Sequence, residues 1–273
     1  MRERIDGKQF DEERALYYLQ HGDVVDCVFA GPADGESVLK EARDVNLDNC
    51  SFSLRYPLWH VEKFHMHDSR MDDKTRAAIW YAKDGVITDS DLHGIKAVRE
   101  CRNIKISNSS IISEEFGWKC EDVTITDSEL HAMYVFFGSN NVKLPKKTNM
   151  ESLEIRNCIL DTKDAFWHSK NVTVYDSVVK GEYLAWFSEG LTLVNCKIIG
   201  TQPLCYCKDL KLVDCTMENT DLSFEYSDVE ATILGHVDSI KNPKSGTITV
   251  DSVGEIIMTD DVVMECSGEV VIR

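Results

Sequence analysis

The chain has 273 residues, 43% of them hydrophobic, and a formal net charge of −17 at pH 7. That charge argues against a nucleic-acid backbone or an anionic membrane surface as a partner, and no run of 18 apolar residues offers a membrane span. The opening residues MRERIDGKQFDEERAL lack the apolar centre of a secretory signal.

In chain order, the first twenty residues mix charge with Phe10, Leu16, Tyr17 and Leu19. Asp11 is placed to N-cap a helix over roughly 12–20, so residues 1–20 are expected to form a helical cap. A repeat follows. A small residue recurs at Cys27, Cys50, Ser69, Ser90, Ser109, Ser128, Cys158, Ser177, Cys196 and Cys215, in steps of 23, 19, 21, 19, 19, 30, 19, 19 and 19. The long steps hold insertions: FAGPADGES in the first, NNVKLPKKTNM in the other. Asn or Asp precedes every member of the column, from Asp26 through Asn108 to Asp214. Both tolerate the left-handed backbone of a sharp bend, so this is a ladder of turns and not a row of catalytic carboxylates.

Alternation then assigns the strands. Before the bend Val172, Val174, Leu191, Leu193, Leu210 and Leu212 point inward; after it Phe52, Met71, Leu92, Ile111, Leu160, Val179 and Ile198 do so. A third inward column is aromatic: Trp59, Trp80, Trp118, Phe137, Trp167 and Trp186. Three short strands per coil of about 19 residues make a parallel β-helix, a repeat stack that buries one continuous core. The expected fold is all-β and single-stranded, with about ten coils in a single domain, 1–273. Coils occupy 21–227, and 228–273 form a last coil and a β cap of alternating strands joined by turns. Ser alternates with Cys in the small column, so the ten cysteines are expected to be free thiols in a reducing, cytoplasmic setting.

The strings AGPADGESVLKEARD (30–44), FSLRYPLWH (52–60), SDLHGIKAVREC (90–101), LDTKDAFWHSKNVTVYDSVVKGEYLAWFSE (160–189), IIGTQPLCYC (198–207) and SIKNPKSG (239–246) resemble the bacterial family called domain of unknown function 3737. The resemblance covers nearly the whole chain. It implies a pectate-lyase-like, right-handed β-helix and brings no activity, substrate, cofactor or catalytic residue with it. Carbohydrate chemistry follows only by analogy with other β-helix proteins. The motifs of polygalacturonases do not occur: Leu92-His93-Gly94-Ile95 lacks the first Gly of their Gly-His-Gly, and Asn219-Thr220-Asp221 stands alone.

In a β-helix, chemistry sits on outward positions. One outward column contains Asp72, His93, His131, Asp161 and Lys180, with Arg70 and Asp91 in the column beside it. Carboxylates next to histidine are the parts of acid–base catalysis or of a glycoside-cleaving pair. If the 140–150 insertion loops out, His131, Asp161 and Lys180 align on successive coils. A second group is His65 and His67, about 7 Å apart on one strand face, with Asp48 and Asn46 on the preceding coil, a candidate for a divalent metal. A third outward face carries His60, Phe166, His168, Phe187 and Tyr206, suited to stacking on sugar rings or to a subunit contact. Cys205-x-Cys207 reads as core. The expected function is binding or processing of a carbohydrate, or a similar polyhydroxylated ligand, in an outward groove, with no cofactor. The alternative is a non-catalytic scaffold, homo-oligomeric through its aromatic face.

Overall fold

The computed structural model describes residues 2–139, 154–259 and 262–273. The chain divides into two compact units, Met1–Ala132 and Met133–Arg273. Each is an all-β parallel solenoid.

In the first unit one ladder of parallel strands runs Glu3–Asp6, Gln20–Val25, Arg43–Asp48, Glu62–His67, Lys83–Thr88, Arg102–Ser107 and Glu121–Thr126. After each bend a second ladder follows, including Val28–Phe29, Ser51–Phe52, Arg70–Met71 and Asp91–Gly94. The third side is short: Leu58–Trp59, Ile79–Trp80 and Val98–Arg99. In the second unit the first ladder runs Glu154–Arg156, Thr173–Tyr175, Thr192–Val194, Leu210–Glu218, Asp228–Lys241, Ser245–Ile257 and Glu269–Ile272.

The described residues therefore make about 13 turns, not ten, and parallel pairing at both ends of the chain accounts for the difference. No helix covers 12–20. Glu3–Asp6 and Gln9–Phe10 pair in parallel with the following coil, and Arg14, Leu16 and Tyr18 alternate into positive φ, which no α-helix permits. Ala15 and Leu19 are buried; their four-residue spacing imitates a helix face. The Asp11 carboxylate accepts from the Ala33 N–H of the next coil, and its carbonyl from Gly35. Among the described residues the one helical segment is a 3-10 turn, Asp73–Thr75. At the other end, the strands after 228 continue the stack in parallel, Asp228 opposite Ser245 and Thr247 opposite Glu269. They continue the stack with a step of 17 residues and then one of 22. The insertion at 140–150 lies outside the described residues.

The bend chemistry holds in detail. Asp26, Asn49, Asp68, Asp89, Asn108, Asp127, Asn157, Asp176, Asn195 and Asp214 all have φ between 46° and 53°. Their side chains bond along the stack, Asn49 Nδ2 to Asp26 Oδ1 at 2.7 Å and Asn195 Nδ2 to Asp176 Oδ1 at 2.8 Å. The small residue after each is buried. Its N–H points along the stack to the hydroxyl of the next coil: Cys50 to Ser69 (2.9 Å), Ser90 to Ser109 (3.2 Å), Ser109 to Ser128 (3.1 Å), and in the second unit Cys158 to Ser177 (3.0 Å). Each of these hydroxyls donates to the carbonyl two residues back, as Ser109 does to Ser107 O at 2.8 Å. Cysteine fits the column because its S–H makes the same short return, Cys27 to Val25 O and Cys196 to Val194 O. All ten cysteines are free and nine are buried.

The post-bend core columns are placed as expected, with Phe52, Leu92, Ile111, Leu160, Val179 and Ile198 buried. Phe29 and Phe52 stack at 4.7 Å with planes 1° apart, the spacing of adjacent strands.

The ladder predicts that Ser109→Ala strips a buried acceptor from the Ser90 N–H and costs about 1–3 kcal/mol. Ser109→Cys, which keeps the return bond, costs less. Urea unfolding of the two variants checks the order.

Candidate functional site

The aromatic column is not core. Trp59, Trp80, Trp118, Trp167 and Trp186 are half-buried and Phe137 is exposed. The residue before each is buried where it is apolar: Leu58, Ile79, Phe136, Phe166 and Ala185. Strict alternation fails here because Tyr56, His60, Phe166, Ala185 and Phe187 have positive φ, so each turns the next side chain by more than a pleat. The same slip corrects Phe166, which is fully buried and not outward.

The rings instead line the outside of the third face. In the second unit Trp167 and Trp186 stack at 5.6 Å, and their indole N–H groups donate to Tyr183 O (2.6 Å) and Gln202 O (2.8 Å). Beside them His168, Phe187 and Tyr206 stack at 5.1 and 4.9 Å. The sequence reading brings these three together correctly. His60 belongs to the first unit, stacked on Tyr81 at 5.1 Å. Stacked rings spend their faces on one another, so this ridge presents mainly ring edges.

His131, in the first unit, has Nε2 2.7 Å from Glu129 Oε1. Asp161 and Lys180, in the second, are strand partners and form an ion pair at 3.1 Å. Asp72 is committed elsewhere: its carboxylate accepts from the Ser53 hydroxyl and caps the 3-10 turn through the Lys74 N–H at 3.0 Å. His93 lies opposite Ile112. Arg70 and Asp91 are strand neighbours on a groove of about 450 Å³ whose walls also hold Asp26, Asp68 and Asp89.

The candidate metal residues sit as their register requires, Asn46 opposite His65 and Asp48 opposite His67. His67 Nδ1, however, lies 3.0 Å from Thr88 Oγ1 and 3.3 Å from Asp89. No group of three metal-ligating side chains occurs among the described residues. Cys205 and Cys207 are core, as read; burial pushes their thiols up to about 12 and about 11, so neither is a thiolate at neutral pH.

Around Asp161 and Lys180 lies a cleft of about 310 Å³ in the second unit. Asp161, Lys163, Lys180 and Glu182 give it charge of both signs; Thr162 and Asn219 add neutral donors and acceptors. Gly181 and Gly200 form its floor. A Cβ on Gly200, at φ 127°, would stand 2.0 Å from Gly181 O, so only glycine fits. Thr162 Oγ1 donates to Lys180 O at 2.9 Å. The signal for this site was in the repeat: Thr162, Gly181, Gly200 and Asn219 fall at the 19-residue step, and two consecutive glycines there open a wall that side chains would otherwise close. Next to it lies Asp164. One of its carboxylate oxygens is buried with no hydrogen-bond partner. Burial, with a smaller contribution from Glu182, holds its proton affinity above the usual carboxylate range against the pull of Lys163.

The architecture defines an all-β parallel β-solenoid with clefts on the coil surface. Comparison then places it: the chain belongs to the family described as protein of unknown function (DUF3737), whose model matches residues 3–271. No curated protein matches the chain. No helix among the described residues is long and apolar enough to cross a membrane.

Asp164 gives a pH test. A carboxyl whose pKa is raised on folding stabilises the fold at low pH and loses that contribution as pH climbs through the unfolded and then the folded value. Asp164→Asn removes the ionisation, so its melting temperature should gain on the native protein as pH rises from about 4 to 7. A Tm difference that does not change with pH would show that Asp164 is not buried as a carboxylate.

Proposed function

We propose that the protein binds a polyhydroxylated ligand, of the oligosaccharide class, in the cleft at Asp161 and Lys180. The lining carries this reading. Sugar hydroxyls both donate and accept, and the cleft offers carboxylates, ammonium groups, a hydroxyl and an amide within one concave surface. The Asp161–Lys180 pair is half-exposed, so each partner can exchange its contact for a hydroxyl with little desolvation cost. Processing is the finer form of the reading, and Asp164 with Glu182 supplies its carboxyl groups, one of them held toward the protonated state. The cytoplasm is the proposed setting, supported by ten unpaired cysteines.

A second reading, a rigid interaction scaffold, draws support from evenly paired charges across coils, such as Glu62 between Arg43 (3.4 Å) and Lys83 (3.6 Å).

A glycan panel followed by calorimetry separates the two. The expected result is saturable binding that falls at least about tenfold in the Asp161→Asn, Lys180→Met variant, with Tm within a few degrees of native. A panel with no ligand favours the scaffold, and undiminished binding by the variant removes the cleft from the argument.

A further inference from the structure

The first unit holds a site of different chemistry. On its third face Trp59, Trp80 and Arg99 are consecutive strand partners. The two indoles stack at 5.1 Å with planes 11° apart. At the next position the ladder changes from a ring to a guanidinium: Arg99 lies 5.5 Å from the Trp80 ring and 5.3 Å from that of Trp118. A side chain narrower than indole leaves space, and a cavity of about 240 Å³ opens there. Tyr56, Ala77, Trp80 and Ile95 form its apolar walls; Arg76, Lys96 and Arg99 supply three cations. No carboxylate among the described residues lines it, in a chain whose formal net charge is −17.

The cations are held differently. Lys96 is tethered from outside the cavity by Glu115 at 3.0 Å, and Arg99 by Glu100 at 2.8 Å. Each ion pair offsets its cation, so the charge left unmet in the lining is that of Arg76. Arg76 is exposed and makes no ion pair among the described residues. Its backbone carbonyl accepts from the Lys96 N–H at 2.9 Å, which fixes the two cationic residues on adjoining coils.

We propose that this cavity binds a small organic anion built from a single flat ring and one carboxylate or phosphate group. The apolar walls seat the ring. Guanidinium groups match the planar, multi-oxygen head and stack on aromatic faces as well. The volume is below that of drug-sized pockets, about 300–1,000 Å³, and limits the occupant to one ring. The site shares no residue with the cleft of the second unit, so the two proposals stand or fall separately.

The test uses the full chain with benzoate and phenyl phosphate as probes, read by calorimetry and by tryptophan fluorescence. Benzyl alcohol and inorganic phosphate serve as the uncharged and ring-free controls. Both ring anions should bind saturably, and more weakly as salt is raised. Each control should bind at least about tenfold more weakly than the ring anions. Arg76→Gln should weaken the anions about tenfold while leaving the melting temperature unchanged, because Arg76 holds no partner whose loss would destabilise the fold. Arg99→Gln serves as a second variant, judged only if its melting curve remains native. The proposal is overturned if neither anion binds at millimolar concentration, if benzyl alcohol binds as well as benzoate, if inorganic phosphate binds as well as phenyl phosphate, or if Arg76→Gln binds both anions undiminished.

Discussion

A coil that returns on itself every 19 residues must turn sharply at one place, and the turn leaves a buried N–H with nothing beside it but the next coil. Much of the stack follows from how that donor is satisfied. The Asn or Asp at the bend adopts positive φ because its short polar side chain tolerates that region. The residue after it is driven inward, where only a small side chain fits. If that side chain carries a hydroxyl, it accepts the N–H of the preceding coil and returns its own hydrogen to the carbonyl two residues back, as Ser69, Ser90, Ser109 and Ser128 do. Each bond links neighbouring coils at the same height. A departure from the 19-residue step therefore breaks a chain of buried polar contacts as well as the packing, and such groups are costly to leave unpaired.

This explains which features could be read in the sequence. The small column and the bend residues were legible because one backbone conformation and one hydrogen-bond pattern constrain them in every coil. The core columns next to them were legible because two-residue alternation holds for a few residues on either side of a bend. Legibility fails where alternation fails. On the third face Ala185 and Phe187 take positive φ in turn, so Phe166 goes inward and the tryptophans outward, one residue out of phase with simple alternation. The amino-terminal coil was hidden by the spacing of Ala15 and Leu19, which suits a helix face equally well. The carboxy-terminal coils were hidden by an uneven step, 17 residues from Asp228 to Ser245 and 22 from Thr247 to Glu269.

The candidate site was legible to the same degree. Asp161 and Lys180 meet because they are equivalent positions on adjacent coils, and equivalence is what a repeat period reveals. Asp72 occupies an equivalent position too, yet local chemistry claims it: a 3-10 turn begins there and its carboxylate becomes the cap. Period alone cannot distinguish a residue free to meet a ligand from one spent on its own backbone. Arg76, Lys96 and Arg99 were not found for a related reason. They approach one another from different points of the coil, and no single column contains them.

A regular ladder is a poor place for recognition because regularity consumes the groups that recognise. Stacked rings cover one another's faces, as Trp167 does Trp186. Serine hydroxyls in the column have both their bonds made, and paired surface charges such as Lys170 and Glu189 at 2.9 Å meet each other first. Unspent chemistry should therefore collect where the repeat is interrupted. Both cavities argued above obey this. One opens where glycine replaces a side chain at two successive coils, Gly181 and Gly200; the other opens where Arg99 takes a position that indoles hold on the two preceding coils. In the first the interruption removes bulk, and polar groups from the flanking columns converge on the gap. In the second it substitutes a guanidinium for a ring face, and Arg76 in the same lining makes no ion pair among the described residues. A solenoid of this kind is best searched for function by asking which coil departs from its neighbours, and what the departure leaves without a partner.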